Sequence, residues 1–192
     1  MTRKPRSDAR ERILDAALAV SQQVGAAHLT LDAVAAEAGV SKGGLLYHFA
    51  SKDALLRAMV EHHLDEHRQT LRVAMADFPA TPGGYLQAVV QAHRAERKDG
   101  FHEPHAMRSF IAAAVNTPEL MEGPRRFASE QVAYLRQLGP HFPEAMLLTL
   151  AFDGLFFGDT FEMLDLTPSE RETIVQTIAE RAAVIAKTAD GE

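Results

Sequence analysis

The chain has 192 residues and no cysteine. Disulfides and thiolate metal sites are therefore excluded. It has no apolar run long enough to span a membrane. Met1 to Arg12 is basic, but no sustained hydrophobic segment follows, so no secretory signal peptide is expected. A cytoplasmic location fits these absences. There is no strand alternation, internal repeat or low-complexity segment. No Ser-His-Asp order, phosphate-cradling glycine loop or strand-borne carboxylate pair stands out, and Gly83-Gly84 reads as a helix-start turn. Neither an enzyme nor a cofactor is expected. What remains is a series of amphipathic helices punctuated by proline and glycine, and a length that allows one good core or a small head and a larger body.

Residues Thr30 to Lys52 read TLDAVAAEAGVSKGGLLYHFASK. Thr30 can cap a helix and leave backbone N–H groups pointing outward, a natural seat for a phosphate oxygen. Val34, Ala35 and Ala38 then share one helical face, and small alanines let a neighbouring helix approach. Gly39 supplies the left-handed residue that ends this helix. Val40 anchors the turn, and Ser41 can cap a second short helix running to about Phe49. Lys42 lies in the first turn of that helix, an unfavourable place for a cation unless a polyanion approaches. Gly43 and Gly44 cost about 1 kcal/mol each against alanine and leave the surface unobstructed. Leu45 and Phe49 pack inward. Tyr47 and His48 face elsewhere, within reach of phosphates or base edges. Ser51 can cap a third helix, with Lys52 at its start. This is helix-turn-helix spacing, suited to placing one helix in the major groove of DNA. An ordinary helical hairpin would explain the turn alone, but not Thr30, Gly39, Ser41, Lys42, Tyr47, His48, Phe49 and Lys52 in one frame.

The segment from about Arg10 to Leu56 resembles the DNA-binding domain of the TetR (tetracycline-repressor-like) family of transcription regulators. The resemblance is carried by Thr30, Val34-Ala35, Ala38-Gly39-Val40-Ser41, His48-Phe49 and Lys52. It implies an all-α fold: an N-terminal three-helix helix-turn-helix head, and a variable C-terminal helical domain for ligand binding and dimerisation. It further implies a homodimer that binds a small effector and releases DNA, most often as a repressor. Two positions depart from the family pattern. Gly44 stands where Thr, Ser or Asn is common, and Leu46 where Tyr is common. Leu46 loses a hydroxyl for a phosphate but can touch a thymine methyl, so the operator cannot be borrowed from relatives.

The net charge of −6 is unevenly spread. Residues 1–57 carry eight basic against six acidic side chains, a net of +2, and the remainder carries −8. The positives cluster in the N-terminal arm and around the second short helix, where phosphates would lie. The arm could lie along the duplex or serve only as a solubilising tail. We place a DNA-binding domain at 1–56 and an effector-binding and dimerisation domain at 57–192.

Further helices are predicted at about Asp8–Val24 (burying Ile13, Ala17, Val20 and Val24), Ser51–Asp77, Pro82–Lys98, Pro104–Val115, Pro124–Leu138, Pro143–Leu164 and Pro168–Lys187. The Ser51 helix would link the DNA-binding end to the body. Its displacement would change the separation of two heads that must sit ~34–36 Å apart on a palindromic operator. Pro143–Leu164 is apolar on nearly every side, as a helix with two partners would be. With the final helix it is expected to form the dimer's four-helix bundle, though burial within a monomer would also explain it. Candidate walls of an effector pocket are Met107, Phe110, Ile111, Phe127, Phe152 and Phe156. Asp153 and Asp159 are the polar groups, favouring a cationic or hydroxylated apolar ligand. Ordinary core packing would account for the same aromatics.

His63 and His67 lie four apart, at zinc-ligand spacing, and His102 and His105 flank Glu103. Neither group supplies the three or four converging ligands a zinc site needs, so no metal is expected. A metal-binding sensor or enzyme using His63 and His67, and an adaptor retaining the helix-turn-helix only as scaffold, are the competing readings.

Overall fold

In the computed structural model the described residues are 9–26, 28–98, 108, 111, 113–115 and 117–191. Among them the secondary structure is all helical, with no strand. The chain divides into two compact units, Met1–His63 with His105–Gly123, and Leu64–Pro104 with Pro124–Glu192.

The first unit contains α1 (Ala9–Val24), α2 (Leu31–Glu37), α3 (Lys42–His48) and the N-terminal part of α4 (Lys52–Met75). Its core follows the apolar spacing of the sequence. Ile13, Leu14, Ala17 and Val20 of α1 meet Val34 and Ala35 of α2, Leu45 and Phe49 around α3, and Leu55 of α4. Val24, expected inside, is 50% exposed. It is the last residue of its helix, and Gly25, at φ 81°, turns the chain so that Ala26 and Leu29 are buried instead. A smaller cluster of Ala26, Leu56, Ala113 and Leu120 brings the 105–123 segment into this unit. The predicted Pro104–Val115 helix falls mostly outside the described residues.

The second unit contains the rest of α4, α5 (Pro82–Lys98), α6 (Glu122–Leu135, of which Glu122 and Gly123 belong to the first unit), α7 (Phe142–Thr160) and α8 (Pro168–Asp190). Its core gathers Leu71, Leu86, Val89, Leu135, Phe152, Leu155, Ile178, Ala182 and Ile185. Three helix ends lie three residues or more from the predicted ones. α6 stops at Leu135 because a short 3₁₀ segment, Arg136–His141, follows, and Gly139 within it takes a left-handed φ of 56°. α7 stops at Thr160 rather than Leu164, where Glu162 turns to a positive φ of 55°. α8 runs three residues further, to Asp190, and is closed by Gly191. Its start is secured by a capping box in which Thr167 and Glu170 exchange hydrogen bonds. Asp190 at the far end accepts from Thr81 Oγ1 at 2.6 Å, tying the end of α8 to the start of α5.

Candidate nucleic-acid interface

The two short helices are set by their caps. Thr30, in extended backbone geometry, accepts the Ala33 N–H at 3.2 Å and starts α2. Gly39 takes the left-handed φ of 65° that a side chain would resist, and reverses the chain. Ser41 then accepts the Gly44 N–H at 3.0 Å and starts α3. Ser51 accepts the Ala54 N–H at 3.1 Å and starts α4. With Val34, Ala35 and Leu45 buried between them, the angle of α3 is fixed by packing and not by the turn alone.

Leu45 and Phe49 anchor α3, and its other residues follow the helical rotation outward. Ser41, Lys42, Gly43, Leu46 and Tyr47 are exposed, Tyr47 by 86%. Gly44, His48 and Lys52 are half-buried. His48 meets the edge of Tyr47 at a ring separation of 5.2 Å. The sequence-predicted residues Thr30, Ser41, Lys42, Gly43, Gly44, Leu46, Tyr47, His48 and Lys52 thus all lie on α3 or at the starts of α2 and α4. The arrangement presents a narrow helix with two side-chain-free positions, one cation and one aromatic hydroxyl on a rigid support. It can enter a groove about as wide as a helix and donate to phosphates or base edges.

Two participants were not singled out from the sequence. Asp32, in the first turn of α2, accepts from Lys42 Nζ at 2.9 Å. The Arg10 guanidinium lies 5.5 Å above the Phe49 ring. No periodicity links positions 32 and 42, or 10 and 49; only the folded turn brings them together.

In the second unit, Phe127 and Phe152 are joined through two histidines. The His67 ring meets Phe127 edge-on at 5.0 Å and His93 at 5.7 Å, and His93 stacks on Phe152 at 4.9 Å. His93 is the residue that the sequence reading missed; its Nδ1 lies 2.8 Å from the Val89 carbonyl oxygen, four residues back on the same helix. Burial raises the Asp153 carboxyl above its ordinary range, against the opposing pull of His93 and His67. Phe156 and Ile111 are half-buried, and Met107 and Phe110 lie outside the described residues. Asp159 is bound by Arg171 of α8. Two clefts among the described residues of this unit are lined by residues other than the predicted aromatics. The one between α5 and α8 is lined by Phe78, Gln87, Val90, Arg94 and Ala182 among others. The other lies around Asp159 and Arg171. The phenyl rings of Phe127 and Phe152 are packed into an aromatic cluster with the histidines. His63 and His67 are not joined by a further ligand: among the described residues no three His, Cys, Asp or Glu side chains converge on a point that could hold a metal ion. No helix of the described residues is long and apolar enough to cross a membrane.

α7 has two unlike faces. Ala145, Thr149, Phe152 and Leu155 are buried. Leu147, Leu150 and Phe157, spaced by three and seven, are 65%, 55% and 47% exposed. Arg181 of α8 binds Glu144 of α7.

Residues 13–59 match the family model described as bacterial regulatory proteins, tetR family. Residues 83–183 match a second, described as Tetracyclin repressor-like, C-terminal domain. The HTH-type transcriptional regulator BetI of Stenotrophomonas maltophilia (strain R551-3) is 28% identical over 155 residues, covering 77% of this chain and 79% of that protein. The crystal structure of the multidrug binding protein EbrR complexed with imidazole is 27% identical with a TM-score of 0.63, covering 91% of this chain and 94% of that one. A TetR-family member from Streptomyces coelicolor A3 shares the fold with a TM-score of 0.67 at 23% identity, over 91% of this chain and 98% of its own.

Proposed function

The chain belongs to the tetR family of bacterial regulatory proteins, and on that premise we propose that this helix-turn-helix transcriptional regulator is a homodimeric repressor, released from a palindromic operator by a small apolar effector. In this reading residues 1–56 hold the operator and residues 57–192 bind effector and partner. The observation that carries it is α3: Lys42, Gly43, Leu46 and Tyr47 exposed on a helix that Leu45 and Phe49 fix from below. The exposed Tyr47 and the exposed Gly43 are not called for by the packing beneath them, and a DNA groove gives them a role.

The exposed stripe Leu147, Leu150 and Phe157 supports the dimer. An apolar stripe open on a long helix marks an interaction face, and a two-fold partner offers the same stripe in return. The aromatic cluster of His67, His93, Phe127 and Phe152 supports a planar or apolar effector. A relative described as a multidrug binding protein supports small-molecule binding in general. α4 is a single helix with residues in both units, beginning at Lys52 and carrying His67 about four turns on. It is the natural element to transmit an effector's presence to the DNA contacts.

The test is a selection of bound genomic fragments with the purified full-length protein, followed by titration of the recovered fragment and a scrambled duplex at two salt concentrations. Preferential binding of the recovered fragment, steeply weakened by salt, is the expected result. Equal binding of scrambled DNA would remove the sequence-specific repressor reading, and binding of neither duplex would leave the head as scaffold.

A further inference from the structure

Lys42 and Asp32 are ten residues apart and on different helices, yet Lys42 Nζ lies 2.9 Å from Asp32 Oδ2. Their side chains are 56% and 70% exposed. An ion pair this open contributes little to folding. Its position is its interest. Lys42 opens α3, the helix that carries Gly43, Leu46 and Tyr47 on its exposed side. Asp32 is held in the first turn of α2 by a backbone anchored through Val34 and Ala35. The carboxylate is therefore presented to the lysine by a rigid support.

To an ammonium group, a carboxylate oxygen at 2.9 Å offers what a phosphate oxygen offers: one negative charge and hydrogen-bond acceptance. We infer that Asp32 is a specificity-setting residue that occupies Lys42 as an internal substitute for a DNA phosphate, so that the lysine engages a duplex fully only where a phosphate displaces or shares the carboxylate. The inference rests on the reading of α3 as the DNA-contacting helix.

The physical consequence differs for the two kinds of binding. Non-specific binding is almost wholly the electrostatic attraction of basic side chains to phosphates. Neutralising one lysine removes a sizeable part of it. Specific binding adds base-edge contacts, which the Asp32–Lys42 pair leaves untouched, and it fixes the register that brings a phosphate to Lys42. An internal carboxylate thus weakens grip on random DNA more than on the operator, and it does so without a stability cost worth measuring. The helix dipole supports the same economy. Asp32 sits favourably in the first turn of its helix, whereas Lys42 is unfavourably placed in the first turn of its own and gains from a nearby anion.

The experiment uses the full chain and a short duplex of random sequence, titrated by fluorescence anisotropy over a range of salt concentrations. The proteins are wild type, Asp32→Asn, Asp32→Glu, Lys42→Ala, Lys52→Ala and the Asp32→Asn/Lys42→Ala double variant. Thermal midpoints are recorded alongside to exclude misfolding. Asp32→Asn should bind random duplex about two- to fivefold tighter, with the slope of log affinity against log salt steeper by up to about 0.9. Asp32→Glu should stay near wild type. The double variant should match Lys42→Ala, because the gain passes through the lysine. The ratio of affinities for the selected genomic fragment and the random duplex should fall in Asp32→Asn. The inference is overturned if Asp32→Asn binds random duplex no tighter than wild type while Lys42→Ala and Lys52→Ala bind it more weakly. It is equally overturned if Asp32→Asn gives the same gain in the Lys42→Ala background, since simple charge repulsion would then suffice. If neither lysine variant changes DNA binding, the assignment of α3 as the DNA-contacting helix fails, and the inference with it.

Discussion

Ser41 Oγ accepts the Gly44 N–H at 3.0 Å, and a Cβ built on Gly44 would lie 3.3 Å from that same oxygen. The cap that starts α3 and the bare surface of α3 therefore compete for one small space. At Gly43 the nearest atom to an added Cβ is again Ser41 Oγ, but at 4.0 Å, an ordinary contact. Replacing Gly43 by alanine should stabilise the chain by about 0.5–1 kcal/mol through helix propensity. At Gly44 the same gain should be partly offset by displacement of the cap. If α3 docks against DNA, both variants should lose affinity even though neither loses stability. Denaturant midpoints paired with DNA titrations would show this; affinity that survives both substitutions would mean that the glycines do not face the duplex.

Tyr47 and Leu45 are two residues apart on α3 and should fail in opposite ways. Tyr47 is 86% exposed, so Tyr47→Ala should change stability by less than about 0.5 kcal/mol. Its DNA affinity should nonetheless drop by about 1 kcal/mol, the worth of one hydrogen bond in such an interface. Leu45 is fully buried, so Leu45→Ala should cost about 2–5 kcal/mol of folding stability and lose DNA binding only as the head unfolds. Thermal unfolding and DNA titration of the two variants separate contact from support. A Tyr47→Ala protein that keeps full affinity would argue for a scaffold.

What the sequence made legible here was local. Thr30, Gly39 and Ser41 declare a capped helix, a left-handed turn and a second cap within twelve residues. The apolar positions Val34, Ala35, Leu45 and Phe49 follow helical spacing, so the head could be read without coordinates. The Asp32–Lys42 pair could not, because the angle of the turn decides which polar side chains meet across it. The His67–His93–Phe152 chain was hidden for the same reason. Its members come from α4, α5 and α7, and each alone looks like a surface histidine or a core phenylalanine. The end of α7 was hidden because its residue type gave no warning. Glu162 adopts a positive φ that glycine or asparagine would have announced.

The exposed face of α7 gives a direct handle on assembly. Leu147 and Leu150 are 65% and 55% exposed, so a charge at either position should cost the isolated fold little. If this stripe is the two-fold contact, Leu147→Glu and Leu150→Glu bring like charges together across the axis, and the double variant should sediment as a monomer at concentrations where the wild type is dimeric. Its helix content should remain. DNA affinity should fall with it, since one head alone cannot span two half-sites. Unchanged sedimentation would move the dimer contact elsewhere.

The Tyr85 and Tyr134 rings pack at a tilt of 32°, 4.1 Å apart, in the core of the second unit. Burial, with Tyr134 and Glu130 adding repulsion, pushes the Tyr85 hydroxyl up from 10.0 to about 12. The folded state therefore holds this proton more tightly than the unfolded chain does. The contribution of the protonated ring to stability is fully present below pH 10, the unfolded value, and is lost progressively as the pH rises from there through about 12. A series of denaturant midpoints from neutral to strongly alkaline pH should fall over that window. Tyr85→Phe keeps the ring and removes the ionisable group, so its profile should be flatter over the same range. Parallel declines in the two proteins would show that the alkaline loss does not pass through Tyr85.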